Sequence, residues 1–436
     1  MTRLTNGFLP IAPFEHLEPT ALGAVEAADG LRVMMMPPPR DAPRDALLLV
    51  RLHGEPLGLV HVPNAADCTR PETVSKLVNE ELGERLAEHE HRFGCAREGA
   101  DCPAASPPPL PGSVAIIIPT GGRVEQLDRC LDSLTPSVPA DADIIIVDNR
   151  PASGQTRRLI DDWHERDGRI RYVAEDRPGS SVARNRGIAE TDAEFLAFTD
   201  DDVVVDNGWL AWLLAPFADP KVNASTGLVL PLELSTGAQK HFEQYAGFSK
   251  GVERRSYDLG ANSARDRLLY PYWGGVFGSG NSMAFRRRDL VAAGGFDPAL
   301  GAGSLALAGA DIEAMSAAIL RGGRLIYEPR SVCWHEHRRD ETALRRQLFN
   351  YGAGFTAILT KALTNDRRFT SAIVRSVPVA LRLRRRRATN GDAVAATLPE
   401  ELAELQRRGM RKGPLLYARS VRWAKQLRLS EVISGA

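Results

Sequence analysis

From residue 114 onward, short apolar runs alternate with stretches of helical periodicity, and each run stops on polar or acidic residues. The runs cover residues 114–118, 144–147, 171–174 and 194–198, with helices expected around Leu127, Leu131 and Leu134 and over residues 182–189. Runs that are apolar almost throughout are buried on both faces, so the spacing predicts an α/β fold: a mostly parallel, Rossmann-like sheet with helices on its faces. In open sheets of this kind, ligands bind outside the carboxyl ends of the strands. The first run ends at Pro119-Thr120-Gly121-Gly122-Arg123, the second at Asp148-Asn149 and the fourth at Asp200-Asp201-Asp202. Three adjacent carboxylates repel one another unless a metal or basic groups compensate them. Oxygen ligands suit hard ions such as Mg²⁺ or Mn²⁺, which commonly also hold phosphates. A solvated acidic turn is the plain alternative, but two acidic strand ends in one sheet favour a binding site.

The chain has 436 residues, more than one hydrophobic core usually organises, and so predicts two or three domains. Its 55 basic and 55 acidic side chains leave no overall bias toward nucleic acid or membrane. Five scattered cysteines, an N-terminal stretch without a signal-peptide core and the lack of any long uncharged apolar run predict a soluble protein of the reducing cytoplasm. Residues 101–112 are too proline-rich for helix or central strand and read as a linker. Before them, residues 1–100 read as a small α+β module. Its runs 47–52 and 56–62 flank His53-Gly54-Glu55 as a hairpin, and residues 73–91 carry a helical apolar stripe. His89, His91, Cys95 and Cys102 offer four zinc ligands there, but their spacing fits no standard zinc pattern. A polar helix end running into a loose linker accounts for them, and no zinc is expected. After residue 337 the chain reads as a helical, basic region, with helical spacing over residues 344–363 and four arginines at 384–387. Such a run suits peripheral contact with an anionic membrane surface, and equally a solvated cationic helix end. It lacks the aromatics that stack on bases, so nucleic acid is not an expected partner.

The segments Ile117-Ile118-Pro119-Thr120, Val147-Asp148-Asn149, Ala183-Arg184-Asn185-Arg186-Gly187, Asp200-Asp201-Asp202, Gly280-Asn281, Gly294-Gly295-Phe296-Asp297 and residues 311–335 occur in one order. That succession resembles the family 2 glycosyltransferases over roughly residues 112–337. The resemblance implies a GT-A catalytic domain over residues 113–337, flanked by the N-terminal module and the helical C-terminal region. It implies an inverting, metal-dependent transfer of a sugar from a nucleotide diphosphate donor, with a UDP-sugar the first expectation among UDP-, GDP- and dTDP-sugars. The acceptor would be a hydroxyl, on a lipid-linked sugar, a polysaccharide or another glycoconjugate.

The same resemblance assigns roles. Asp200 and Asp202 form a D-x-D-like pair for Mn²⁺ or Mg²⁺, joined by His335 with His337 as the alternative ligand. Pro119, Thr120, Arg123, Asp148, Arg184, Asn185, Asp200 and Asp201 would contact the donor, and Trp273, Gly280 and Asn281 the sugar and acceptor. Asp311 would be the general base, with Ala310 where the family usually has Glu and Glu313 as a fallback. Two other classes remain open from the residues themselves. A nucleotidyltransferase needs a glycine-rich basic loop after its first strand, of which Thr120-Gly121-Gly122-Arg123 is a thin version, and a catalytically silent sugar-binding subunit needs no base at all.

Overall fold

The computed structural model describes residues 18–28, 31–36, 42–98, 102–262, 269–272, 274–365, 370 and 399–429. Trp273 and the arginines at 384–387 lie outside the described residues.

The N-terminal module is a four-stranded sheet built from β1 (Thr20–Glu26), β2 (Arg32–Met35), β3 (Asp45–Leu52) and β4 (Glu55–Val62), in the order β2-β1-β3-β4. The expected hairpin joins β3 to β4 antiparallel, whereas β1 and β3 pair parallel. His53 and Gly54 turn the hairpin with φ of 52° and 77°, the two positive values that a tight two-residue connection requires. The apolar run of β3 is explained by burial on both faces. Leu48, Val50 and Leu52 pack under α1 (Pro71–Phe93) with Val74, Val78 and Leu86, while Leu22, Ala24, Leu47 and Leu49 join the core of the larger sheet. Thr20 N–H also donates to Leu234 O at 3.0 Å, which ties the module's first strand to the later part of the chain.

The following elements are β5 (Val114–Thr120), α2 (Val124–Leu134), β6 (Asp143–Asp148), α3 (Gln155–Arg166), β7 (Ile170–Ala174), α4 (Ser180–Ala189), β8 (Phe195–Phe198), β9 (Val203–Val205) and α5 (Trp209–Leu214). Then come β10 (Val222–Pro231), α6 (Gly237–Ala246), β11 (Arg255–Tyr257), β12 (Met283–Arg286), α7 (Arg287–Ala292), α8 (Ala310–Leu320) and β13 (Arg324–His335). The strands form one sheet in the order β11-β13-β10-β12-β8-β5-β6-β7, with β9 paired to β13. The strands β7, β6, β5 and β8 are mutually parallel, so Asp148, Thr120 and the acidic triplet emerge along one edge. Antiparallel β12 joins this block to β10, and β10 runs parallel to the long β13. In β5, Ala115, Ile116, Ile117 and Ile118 are fully buried. Each such isoleucine contributes about 1.5–3 kcal/mol of burial, enough to hold the strand centrally.

Two long helices, α9 (Glu341–Asn365) and α10 (Glu400–Gln426), pack against each other and cover the α8 side of the sheet. Among the described residues no helix is long and apolar enough to cross a membrane.

Candidate active site

The acidic triplet is three residues with three different surroundings. Asp201, in the middle, is fully buried; its Oδ2 accepts from Thr120 Oγ1 at 2.7 Å and from Arg123 Nε at 3.3 Å. Burial pushes its carboxyl up to about 6, against the pull of Arg123. Asp201 and Thr120 therefore brace the strand ends of β8 and β5 against each other. Arg123 also donates to Asp202 Oδ2, so one guanidinium compensates two of the three charges. Asp200 is more open. Its Oδ1 accepts from Arg184 at 2.9 Å and its Oδ2 from Asn281 at 3.1 Å, and burial raises its carboxyl although Arg184 opposes this.

Asp202 faces β13. Its Oδ1 is buried without a hydrogen-bond donor and lies 3.4 Å from His335 Nε2. Behind that ring runs a relay: His335 Nδ1 faces His337 Nδ1 at 2.9 Å, and His337 Nε2 meets Glu243 Oε2 of α6 at 2.8 Å. With His337 donating its Nε2–H to the Glu243 carboxylate, its Nδ1 is an acceptor, so the proton between the two Nδ1 atoms belongs to His335, which leaves the His335 Nε2 lone pair aimed at a carboxylate oxygen. Burial drives the His335 imidazole down to about 3, against the pull of Asp202, so it is neutral near pH 7. Two buried acceptors facing each other at this distance leave room for one small cation with bonds of about 2.1 Å to each. The donor pair, one carboxylate oxygen and one imidazole nitrogen, is one that Mn²⁺ tolerates better than Mg²⁺. His337 is turned toward Glu243 and does not reach Asp202. Arg338 follows at 3.8 Å from Asp202 Oδ2, half exposed at the mouth of the site.

Across the cleft, Gly309 with φ 97° begins α8 and delivers Asp311 on its first turn. Asp311 Oδ2 accepts from Gly280 N–H at 3.0 Å. A Cβ at Gly280 would lie 3.0 Å from the Asp311 carboxylate, so glycine permits this approach. Ala310 is buried against the Gly301 turn, where a Glu side chain has no room. Glu313 points away to Lys361 of α9 at 2.8 Å, which leaves Asp311 as the carboxylate facing the cleft. Burial raises the Tyr351 hydroxyl of α9, and the charges of Asp311 and Asp200 add to it, so α9 borders the same site.

At the next strand end, Asp148 at the end of β6 is fully buried. It accepts from Arg150 N–H at 2.9 Å and Tyr172 OH at 3.1 Å. Pro119, one residue from the end of β5, pairs in register with Val147 beside it. Asn149 pins the loop before α4, donating to the carbonyls of Glu175 and Arg177 and accepting from Gly179 N–H. Asn185 has both ends of its amide on the backbone of Phe296, so it locks α4 to the Gly-Gly-Phe-Asp turn. The strand ends thus bring together Thr120, Arg123, Arg184, the acidic triplet, Gly280, Asn281, Asp311 and His335. The sequence reading missed Arg338, whose signal was its place directly after His337, and Glu243, which nothing local connects to a histidine 94 residues later.

Residues 115–291 match the model of the family described as Glycosyl transferase family 2. The pre-mycofactocin glycosyltransferase of Mycobacterium tuberculosis is 29% identical over 160 residues, which is 37% of this chain and 30% of that protein. A GalNAc(5)-diNAcBac-PP-undecaprenol beta-1,3-glucosyltransferase of Campylobacter jejuni is 27% identical over 103 residues, 23% of this chain and 33% of that protein. The chain thus matches about a third of the length of these curated relatives. Among solved structures, a mannosyltransferase from Pyrobaculum calidifontis in complex with GDP-Man and Mn²⁺ aligns with a TM-score of 0.46 at 19% identity, covering 80% of this chain and 98% of that one.

Proposed function

Because residues 115–291 are a family 2 glycosyltransferase domain, we propose that this chain binds a nucleotide diphosphate sugar at the strand ends and transfers the sugar, with inversion, to an acceptor hydroxyl. The observation that carries the metal-dependent form of this reading is the orphaned Asp202 Oδ1 facing the lone pair of His335. Asp202 and His335 would hold Mn²⁺ or Mg²⁺, with Asp200 beside them. The bound ion would neutralise charge on the departing nucleoside diphosphate. Arg123 and Arg338, both partly exposed next to Asp202, supply donors for the phosphates. Asp148 and Tyr172 line the nucleoside end, and Arg184 and Asn281 hold Asp200 in position.

Asp311 takes the acceptor's proton. The acceptor oxygen forms its bond to the anomeric carbon as the bond from that carbon to the phosphate oxygen breaks, and attack opposite the leaving group inverts the configuration. A carboxylate suffices, because the hydroxyl becomes acidic only as its bond forms. The Gly280 hydrogen bond fixes the carboxylate's orientation without neutralising it. An acceptor on a lipid-linked glycan, as in the name of the Campylobacter relative, suits this chemistry as well as a soluble one.

Thermal unfolding with UDP, GDP or dTDP, each with and without Mn²⁺, tests the donor site. Binding to the native state at about 100 times the dissociation constant adds about 2.7 kcal/mol, a shift of several degrees. One nucleotide should raise the midpoint only with the metal, and Asp202→Asn should abolish the rise. A protein indifferent to all three nucleotides at saturating concentration does not have this function.

A further inference from the structure

His53, His89, Cys95 and Cys102 come from three separate segments: the β3–β4 turn, the end of α1 and the chain that leads from it toward β5. Yet their ligand atoms all lie within 4.8 Å of one another. His53 Nδ1 is 3.2 Å from His89 Nε2, Cys95 Sγ is 3.7 Å from His53 Nδ1, and Cys102 Sγ is 3.4 Å from His89 Nε2. A tetrahedral zinc ion with bonds of about 2.0 Å to nitrogen and about 2.3 Å to sulfur separates its ligands by about 3.3 Å for two nitrogens and about 3.5 Å for nitrogen and sulfur. The observed edges match.

Each imidazole is held with one nitrogen toward the cluster. His89 Nδ1 meets Glu55 Oε2 at 2.5 Å, and Glu55 is itself held by Arg92 at 3.1 Å. With its proton on that side, His89 presents the Nε2 lone pair to the cluster. His53 faces the cluster through Nδ1, and its Nε2 is buried without a hydrogen-bond partner. His53 is further held at a positive φ, with its N–H and that of Gly54 both donating to Glu26. His91, which the sequence spacing offered as a ligand, is exposed on the far side of the helix.

We propose that these four side chains form a structural Cys2His2 zinc site, a closed four-ligand set with no position for substrate. Binding deprotonates both thiols and releases their protons to solvent. The ion would fasten the chain where it leaves the module. Beyond Cys102, Pro103, Ser106 and Pro108 lie along a cleft walled by Trp212 and Arg330 of the catalytic half. Zinc would therefore fix how the two halves join, at a distance from the acidic triplet and with softer ligands than those of the catalytic cation.

The test is elemental analysis of the full chain purified without chelator, followed by Co²⁺ reconstitution of the reduced protein under anaerobic conditions. About one zinc per chain is expected. It should be retained in His91→Ala and Asp202→Asn, and lost in Cys102→Ser and His53→Ala. Cobalt should give the intense visible bands of a tetrahedral centre together with thiolate charge transfer, a readout on the unmutated protein that does not depend on any variant folding. Absence of both zinc and a cobalt–thiolate spectrum would overturn the proposal. So would zinc that survives Cys102→Ser but leaves with Asp202→Asn, or a native Cys95–Cys102 disulfide without metal.

Discussion

At the scale of single residues, the proposed active cleft separates groups spent on internal contacts from groups left open to it. Asp201 and Asn185 are consumed by internal contacts, whereas Asp311 keeps one carboxylate oriented by a single backbone donor. Asp311→Asn keeps that hydrogen bond and the shape of the cleft but removes the proton acceptor. Its kcat should fall by about two to four orders of magnitude with nucleotide affinity unchanged, as read by steady-state rates beside donor titration. An equal loss of donor binding would instead make Asp311 a structural residue. The carboxylates and His335 were legible in the sequence because each follows a strand or opens a helix. Their division of labour was not. Which oxygen of Asp202 lacks a donor depends on Arg123, 79 residues away, and on the His337 and Glu243 relay.

At the scale of elements, α10 contains Pro414, which has no N–H to give to the carbonyl of Met410 one turn earlier. Thr356 of α9 supplies the missing donor, with its Oγ1 2.8 Å from Met410 O. The helices approach closely enough for this because Gly409 and Gly413 face α9, where a Cβ would lie within 2.1 Å of Phe349 O or Thr356 Oγ1. Thr356→Val should cost about 1–3 kcal/mol in denaturant unfolding by leaving that carbonyl unmatched, while Thr356→Ser should restore most of it. Element type was readable wherever burial was one-sided or complete: β5 and β6 stand within two residues of their expected bounds, and α2 spans the three leucines that marked it. The antiparallel insertion of β12 was not readable, because its four residues carry no period that distinguishes strand direction. Of the proposed zinc-ligand set, His89, Cys95 and Cys102 stood out in the sequence but His53 did not, since it reaches them through the turn of a hairpin 36 residues from His89.

At the scale of the molecule, the C-terminal helices are fastened to the catalytic sheet by charge as well as packing. Lys361 of α9 bridges Asp297 and Glu313 at 2.8 Å each, and Tyr417 of α10 donates to Asp297 at 3.3 Å. Lys361→Met would strand two largely buried carboxylates, so stability should drop by roughly 3 kcal/mol. Since Glu313 shares the first turn of α8 with Asp311, turnover should fall further than the unfolded fraction explains. Activity that tracks the folded fraction would confine the bridge to stability.

The N-terminal sheet carries an outcome for synthesis on the ribosome. Its strands are complete by Val62, yet Leu22, Ala24, Leu47 and Leu49 are covered by residues that include Leu228, Leu230 and Leu234. At translation rates of about 5–20 residues per second, that face waits on the order of ten seconds or more for its cover. The nascent chain must spend this interval with an apolar sheet face bare, the kind of surface that holdase chaperones bind.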